Sequence, residues 1–206
     1  MYEVIAAVLA VKENSDKPVF ATMTFDGSGR TLTGSTPEIA AYTLEGLGVD
    51  AVGVNCSLGP KELQSIVGRF LACCSVPVIV QPNCGLPVLE NGRTVYKLSV
   101  EEFYSYIEKF VGMGAAIVGG CCGTTAEFID AISRLSGKEV RRPSVAAGTA
   151  VCSATRKVEI DGVKICGERL NPTGKKKLKE ALLSGDYGYI VGEAVSQQEA
   201  GADLLD

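Results

Sequence analysis

The feature that most limits what this chain can fold into is a repeated alternation. Four short apolar runs, residues 17–25, 51–56, 76–81 and 115–118, are each followed by a segment with helical signals. The first follower opens on Thr36-Pro37-Glu38: a capping threonine, a proline for the first turn and an acid at the positive end. The second opens at Pro60 and carries Leu63, Ile66, Val67, Phe70 and Leu71 at helical spacing. The third pairs Ser99 with Glu102 and presents Phe103, Tyr106, Ile107, Phe110 and Val111. The fourth pairs Thr124 with Glu127 and presents Phe128, Ile129, Ile132 and Leu135. A further helix is expected over residues 3–12, with Val4, Ala7, Val8 and Val11 on one side. Continuous apolar strands between amphipathic helices predict an α/β fold with a parallel sheet covered by helices.

In such folds the chemistry collects at the C-terminal ends of the strands. Cys56, Asn83, Cys121 and Cys122 all fall there. The stretch Gly119-Gly120-Cys121-Cys122-Gly123-Thr124-Thr125 sets two thiols in a glycine-rich turn after a strand. Two neighbouring side chains cannot hold a metal alone, and Cys56, 65 residues before Cys121, supplies a third thiol from another strand end. That separation is unlike a local zinc finger. It suits a catalytic site with three protein ligands and one open position. The chain has no histidine, so zinc here must rest on sulfur, or on sulfur and oxygen. Cys73 and Cys74 read as small buried residues closing a helix. Cys84, Cys152 and Cys166 read as non-ligands. A metal-free redox pair at Cys121–Cys122 is the rival chemistry, and it would not depend on Cys56. The pair Gly112–Gly114 precedes a strand rather than following one, which is the wrong context for a phosphate loop.

The net charge of −4 argues against nucleic acid or an anionic membrane as partner. Lys175-Lys176-Lys177 accordingly reads as a solvated helical face. No apolar run approaches the roughly 20 residues that cross a bilayer. The start Met1-Tyr2-Glu3-Val4 lacks signal-peptide character. A cytoplasmic setting with reduced thiols is expected.

The character changes after residue 136. Residues 137–160, with Lys138, Arg141, Arg142 and Pro143 followed by small residues, read as a linker, with residues 151–155 as a short extended segment. A strand over 163–167, the loop Gly167-Glu168-Arg169-Leu170-Asn171-Pro172-Thr173-Gly174, helices over 175–183 and 190–200, and a strand from Ala202 then follow. Both ends of the chain cut through elements, so the polypeptide is expected to continue on either side.

Asn55-Cys56-Ser57 together with Gly119-Gly120-Cys121-Cys122-Gly123-Thr124 resembles the zinc-thiolate motifs of the homocysteine S-methyltransferase family. The segment Gly167 to Gly174 resembles the opening of a pterin-binding domain that uses methyltetrahydrofolate. The two in this order resemble the cobalamin-dependent methionine synthase family. The resemblance implies the C-terminal half, about strands 5–8, of a (β/α)8 TIM-type barrel over residues 1–136. It implies the first βαβ unit of a second, pterin-binding barrel over 161–206. It further implies Zn2+ on Cys56, Cys121 and Cys122, a homocysteine contact at Asn83 and a pterin contact at Asn171, the alternatives being an asparagine that satisfies a turn at 83 and a loop or cap residue before Pro172 at 171. The expected activity is methyl transfer to the homocysteine thiol to form methionine. The methyl group would come from methylcobalamin, held on a module outside this chain and recharged from methyltetrahydrofolate. The expected partners are homocysteine, the N-terminal half-barrel and the cobalamin-binding modules. A non-catalytic zinc-binding fragment and a homocysteine methyltransferase with another methyl donor are the alternatives.

Overall fold

The computed structural model describes residues 1–140 and 148–206. The chain divides into two compact units: Met1–Ala147 with Cys152–Lys157, and Gly148–Val151 with Val158–Asp206. Residues 141–147, which include Arg141, Arg142 and Pro143 of the expected linker, lie outside the described residues.

In chain order, the first unit begins with α1 (Tyr2–Asn14), β1 (Phe20–Met23), α2 (Pro37–Gly46), β2 (Ala51–Asn55) and α3 (Pro60–Leu71). It continues with β3 (Val78–Gln81), β4 (Val88–Glu90), β5 (Arg93–Val95), α4 (Val100–Met113), β6 (Ile117–Val118) and α5 (Ala126–Ser133). Strands β1, β2, β3 and β6 form one sheet in that order, and every pairing is parallel. Each crossover carries a helix, as a parallel sheet requires. The core lies between sheet and helices. Phe25 meets Phe70 edge to face at 5.7 Å, and Phe103 meets Phe128 likewise at 5.3 Å. Gly53 marks the tightest approach of β2 to β3: a Cβ there would lie 1.9 Å from the Ile79 carbonyl oxygen.

Several local expectations hold. Thr36 accepts from the Ile39 N–H at the start of α2, and Ser99 and Glu102 form a reciprocal cap on α4. Three expectations are corrected. The helix α1 forms, but only Val8 is buried, while Ala7 and Val11 are exposed. The cap of α5 is Thr125, without a side-chain hydrogen bond; Thr124 instead places its hydroxyl 3.4 Å from the Cys84 sulfur. On that helix Ile129 is exposed, whereas Ala131 and Ile132 are buried, as is Leu135 just beyond its end. Between β3 and α4 the chain also forms the antiparallel hairpin β4–β5. Its turn residues Asn91 and Gly92 both have positive φ, 50° and 75°.

Beyond residue 148 come β7 (Ala150–Cys152), β8 (Lys157–Glu159), β9 (Cys166–Gly167), α6 (Lys176–Ser184), α7 (Tyr187–Glu199) and β10 (Leu204–Leu205). β7 and β8 pair with each other. Within the second unit β9 and β10 pair in parallel, with both helices in the crossover between them. The buried Gln197 ties this unit together: its side-chain oxygen accepts from the Arg169 N–H at 2.7 Å, and its amide donates to the Glu193 carbonyl. Among the described residues no helix is long and apolar enough to cross a membrane.

Candidate metal centre

Two strand ends build the site. At the end of β2 the chain makes an unusual turn: Cys56 and Ser57, neither of them glycine, both take left-handed φ, 60° and 63°. Such conformations cost energy and persist where the surroundings enforce them. Here the Cys56 N–H donates to the Gln81 carbonyl, and the Leu58 N–H turns back to the Cys56 carbonyl at 2.7 Å. At the end of β6 the chain passes through Gly119 and Gly120 into the vicinal cysteines. The Cys121 N–H donates to the Pro82 carbonyl at 2.8 Å, and the Cys84 N–H donates to the Cys122 carbonyl at 2.9 Å. Gly120 leaves room for Thr124, whose hydroxyl would sit 2.2 Å from a Cβ. The segment after β3 therefore locks both cysteine loops in place.

The result is a cluster in which the sulfurs of Cys56, Cys121 and Cys122 all lie within 4.8 Å of one another. Cys56 and Cys122 are 3.6 Å apart, far beyond a disulfide bond. Four sulfurs around zinc at about 2.3 Å in a tetrahedron would stand about 3.8 Å apart, so the donor set suits a thiophilic ion. Cys56 and Cys121 are half-buried and Cys122 is exposed, which leaves the cluster open to solvent on one side.

The thiols differ electrostatically. Burial alone would raise the Cys56 thiol. The Ser57 N–H, the Cys121 and Cys122 sulfurs and the Asn83 side chain outweigh it and hold Cys56 below its ordinary value. Burial, and then the Cys56 sulfur, push Cys121 up to about 11. Crowded thiols resist sharing negative charge until a cation joins them.

Asn83 is only 3% exposed, and its side-chain oxygen accepts from the Cys122 N–H at 3.1 Å. It touches both cysteine loops and is more deeply placed than a loop asparagine at a site mouth. Asn171 belongs to the second unit, where its side chain accepts from the Thr173 N–H at 2.9 Å in a local turn. Cys84 and Cys74 are buried, Cys73 and Cys152 half-buried and Cys166 exposed; none of these joins the cluster. One neighbour escaped the reading of the sequence. Tyr96, at the end of the hairpin, packs its ring on Gly123. The signal for its placement was Asn91-Gly92, a strong hairpin turn that carries the chain back toward the cysteines.

Comparison with known proteins agrees with this architecture. The chain is 35% identical over 202 residues to the methionine synthase of Mycobacterium leprae and 34% identical over 194 residues to that of Mycobacterium tuberculosis. Each match covers 92% of this chain, and the chain spans 16% of the length of either relative. In fold it is similar to the homocysteine methyltransferase MmuM from Escherichia coli. The metallated form superposes with a TM-score of 0.52 at 20% identity, over 65% of this chain and 41% of that chain. The apo form gives 0.50 at the same identity, over 65% and 45%. The family described as homocysteine S-methyltransferase matches residues 1–136. That match spans well over half of the sequence and includes all three clustered thiols, and the chain belongs to the homocysteine S-methyltransferase family.

Proposed function

We propose that this chain is the thiol-bearing part of a methionine synthase-type enzyme that transfers a methyl group to homocysteine and forms methionine. The observation that carries the reading is the meeting of Cys56, Cys121 and Cys122 within 4.8 Å, from strand ends far apart in sequence. Family membership and the similarity to mycobacterial methionine synthases support it. Cys56, Cys121 and Cys122 would hold Zn2+ as thiolates. When bound, zinc supplies a Lewis acid that keeps a substrate thiol deprotonated and nucleophilic near neutral pH.

The chain's own residues do the positioning. The left-handed turn at Cys56 and Ser57 aims one thiol across the strand ends. The segment after β3 fixes the other two through the Pro82 and Cys84 backbone. Asn83 commits its oxygen to Cys122. Its amide has two hydrogens, enough to serve the Cys56 side and the amino-acid end of homocysteine. The exposed face at Cys122 admits the substrate sulfur.

In this reading residues 1–136 are strands 5–8 of a (β/α)8 barrel whose N-terminal half lies outside this chain. Residues 137–160 are a linker, and 161–206 open a pterin-binding domain in which Asn171 lines the pterin site. The alignment to methionine synthases supports this, because it extends beyond residue 136. Methylcobalamin, carried on a separate module and recharged from methyltetrahydrofolate, is the methyl donor, and the setting is cytoplasmic.

The test uses cobalt as a visible substitute for zinc. The 206-residue chain loaded with Co2+ should show sulfur-to-metal absorption that changes on adding homocysteine and not on adding serine. An absorption unmoved by homocysteine, or one that Cys121→Ser leaves intact, would contradict the proposal.

A further inference from the structure

Cys152–Lys157 lies beyond the span that matches the family, yet it packs with the first unit rather than the second. It forms the tip of the β7–β8 hairpin. The tip is closed within itself: the Ser153 N–H donates to the Arg156 carbonyl at 2.9 Å, and the Ser153 hydroxyl accepts from the Arg156 N–H at 3.1 Å. Three contacts hold it against the start and outer side of α2. The Ser35 hydroxyl donates to the Ala154 carbonyl at 2.6 Å, across 119 residues of sequence. Gly34 leaves room for the Thr155 methyl group, which would stand 3.2 Å from a Cβ there. The Lys157 ammonium lies over the Tyr42 ring, 4.6 Å from its centre. Ser35 is fully buried, and its backbone is committed inside its own loop: its N–H donates to the Thr31 hydroxyl at 3.0 Å, and its carbonyl accepts from the Thr31 N–H at 2.9 Å. Leaving a buried hydroxyl without a partner is costly, so the Ala154 carbonyl is what lets this loop close as it does. The loop also starts at the cysteine-bearing pole of the sheet, because the register of Met23 with Val54 sets Thr24 beside Asn55, the residue before Cys56.

We infer that the tip of the β7–β8 hairpin is a strap that holds the β1–α2 loop closed beside the Cys56 strand end, and that it is a working part of the first unit. Docked, the strap supplies the one partner that the buried Ser35 hydroxyl has among the described residues. Released, it leaves that hydroxyl to find water, and the loop opens at its α2 end. The strap does not depend on what the thiols bind.

Hydrogen–deuterium exchange of the whole 206-residue chain tests the strap. In a chain lacking Ala154 and Thr155, the backbone amides of residues 31–40 should exchange about tenfold faster than in the wild type, the scale of one buried hydrogen bond lost, while those of α3 keep their rate. Ser35→Ala removes the donor and leaves the strap itself intact, and it should speed the same amides by a similar factor. Lys157→Gln should act in the same place by a smaller factor. Unchanged exchange over residues 31–40 in the shortened chain would overturn the inference. So would an increase that spreads equally to α3, which would mark the hairpin as a general stabiliser rather than a strap on this loop. Should Ser35→Ala fail to fold, the shortened chain alone decides.

Discussion

The chain carries two vicinal cysteine pairs, and they have opposite fates. Cys121 and Cys122 sit past the end of β6, where a third thiol from the end of β2 meets them. Cys73 and Cys74 sit past the end of α3, at the other pole of a βα unit. Cys73 donates to the Arg69 carbonyl at 3.1 Å, and Cys74 is buried in the core. The Cys74 thiol is pushed well above its ordinary value, first by Cys73 and then by burial. The first pair meets backbone N–H groups and open solvent; the second meets the carbonyl end of a helix, where the contact between the two thiols holds Cys73 below its ordinary value as it raises Cys74. Adjacency of two cysteines is therefore uninformative by itself. What separates the pairs is which end of the strand–helix unit they occupy.

The largest expected effect tests that contrast directly. Cys56→Ser and Cys121→Ser should each abolish tightly bound zinc in the purified chain, measured by metal analysis after dialysis, because two thiols with an open site bind weakly. Cys73→Ser should leave zinc unchanged. Equal zinc in the wild type and Cys56→Ser would break the distinction between the pairs.

A smaller effect is expected at Asn83. Its replacement by alanine removes the acceptor for the Cys122 N–H. Zinc affinity, read by competition with a chromophoric chelator, should fall by about tenfold, the usual scale for an outer-shell partner. A loss no greater than that of an exposed-surface control would remove Asn83 from the site.

The smallest effect lies beside the second pair. Arg69, whose carbonyl holds Cys73, makes a two-pronged ion pair with Glu38, both contacts at 2.6 Å. Hydrogen bonding by Arg69 outweighs burial and holds Glu38 down to about 2, against an ordinary 4.5. A depressed carboxylate contributes stability above its unfolded pKa and loses it as pH falls toward the folded one. Glu38→Gln should therefore cost about 1 kcal/mol or less at pH 7 in urea unfolding, since the pair is partly exposed. The difference should vanish between pH 4.5 and 2, and zinc content should not change. A penalty that persists at pH 2 would show that the effect is packing rather than charge.

Much of the fold was legible in the residues. Apolar runs with capped amphipathic followers led to the parallel sheet, and strand-end position singled out Cys56, Cys121 and Cys122. The departures have physical causes. Asp50 takes the Val19 N–H on its side chain at 2.7 Å, so regular pairing in β1 starts at Phe20 rather than at residue 17. Thr124 forgoes the cap of α5 because its hydroxyl faces the Cys84 sulfur. Periodicity in α1 could not tell which residues have a neighbour to pack on. The left-handed turn at Cys56 and Ser57 had no signal, because neither residue prefers it. Tyr96 was missed because its placement on Gly123 depends on a hairpin whose strands are only three residues long.

X-ray absorption at the zinc edge of the reconstituted chain tests the central claim most directly. The account predicts three sulfur neighbours at about 2.3 Å, with one lost in each of Cys56→Ser, Cys121→Ser and Cys122→Ser wherever metal remains. A first shell with fewer than three sulfurs, or one that Cys56→Ser leaves unchanged, would contradict it.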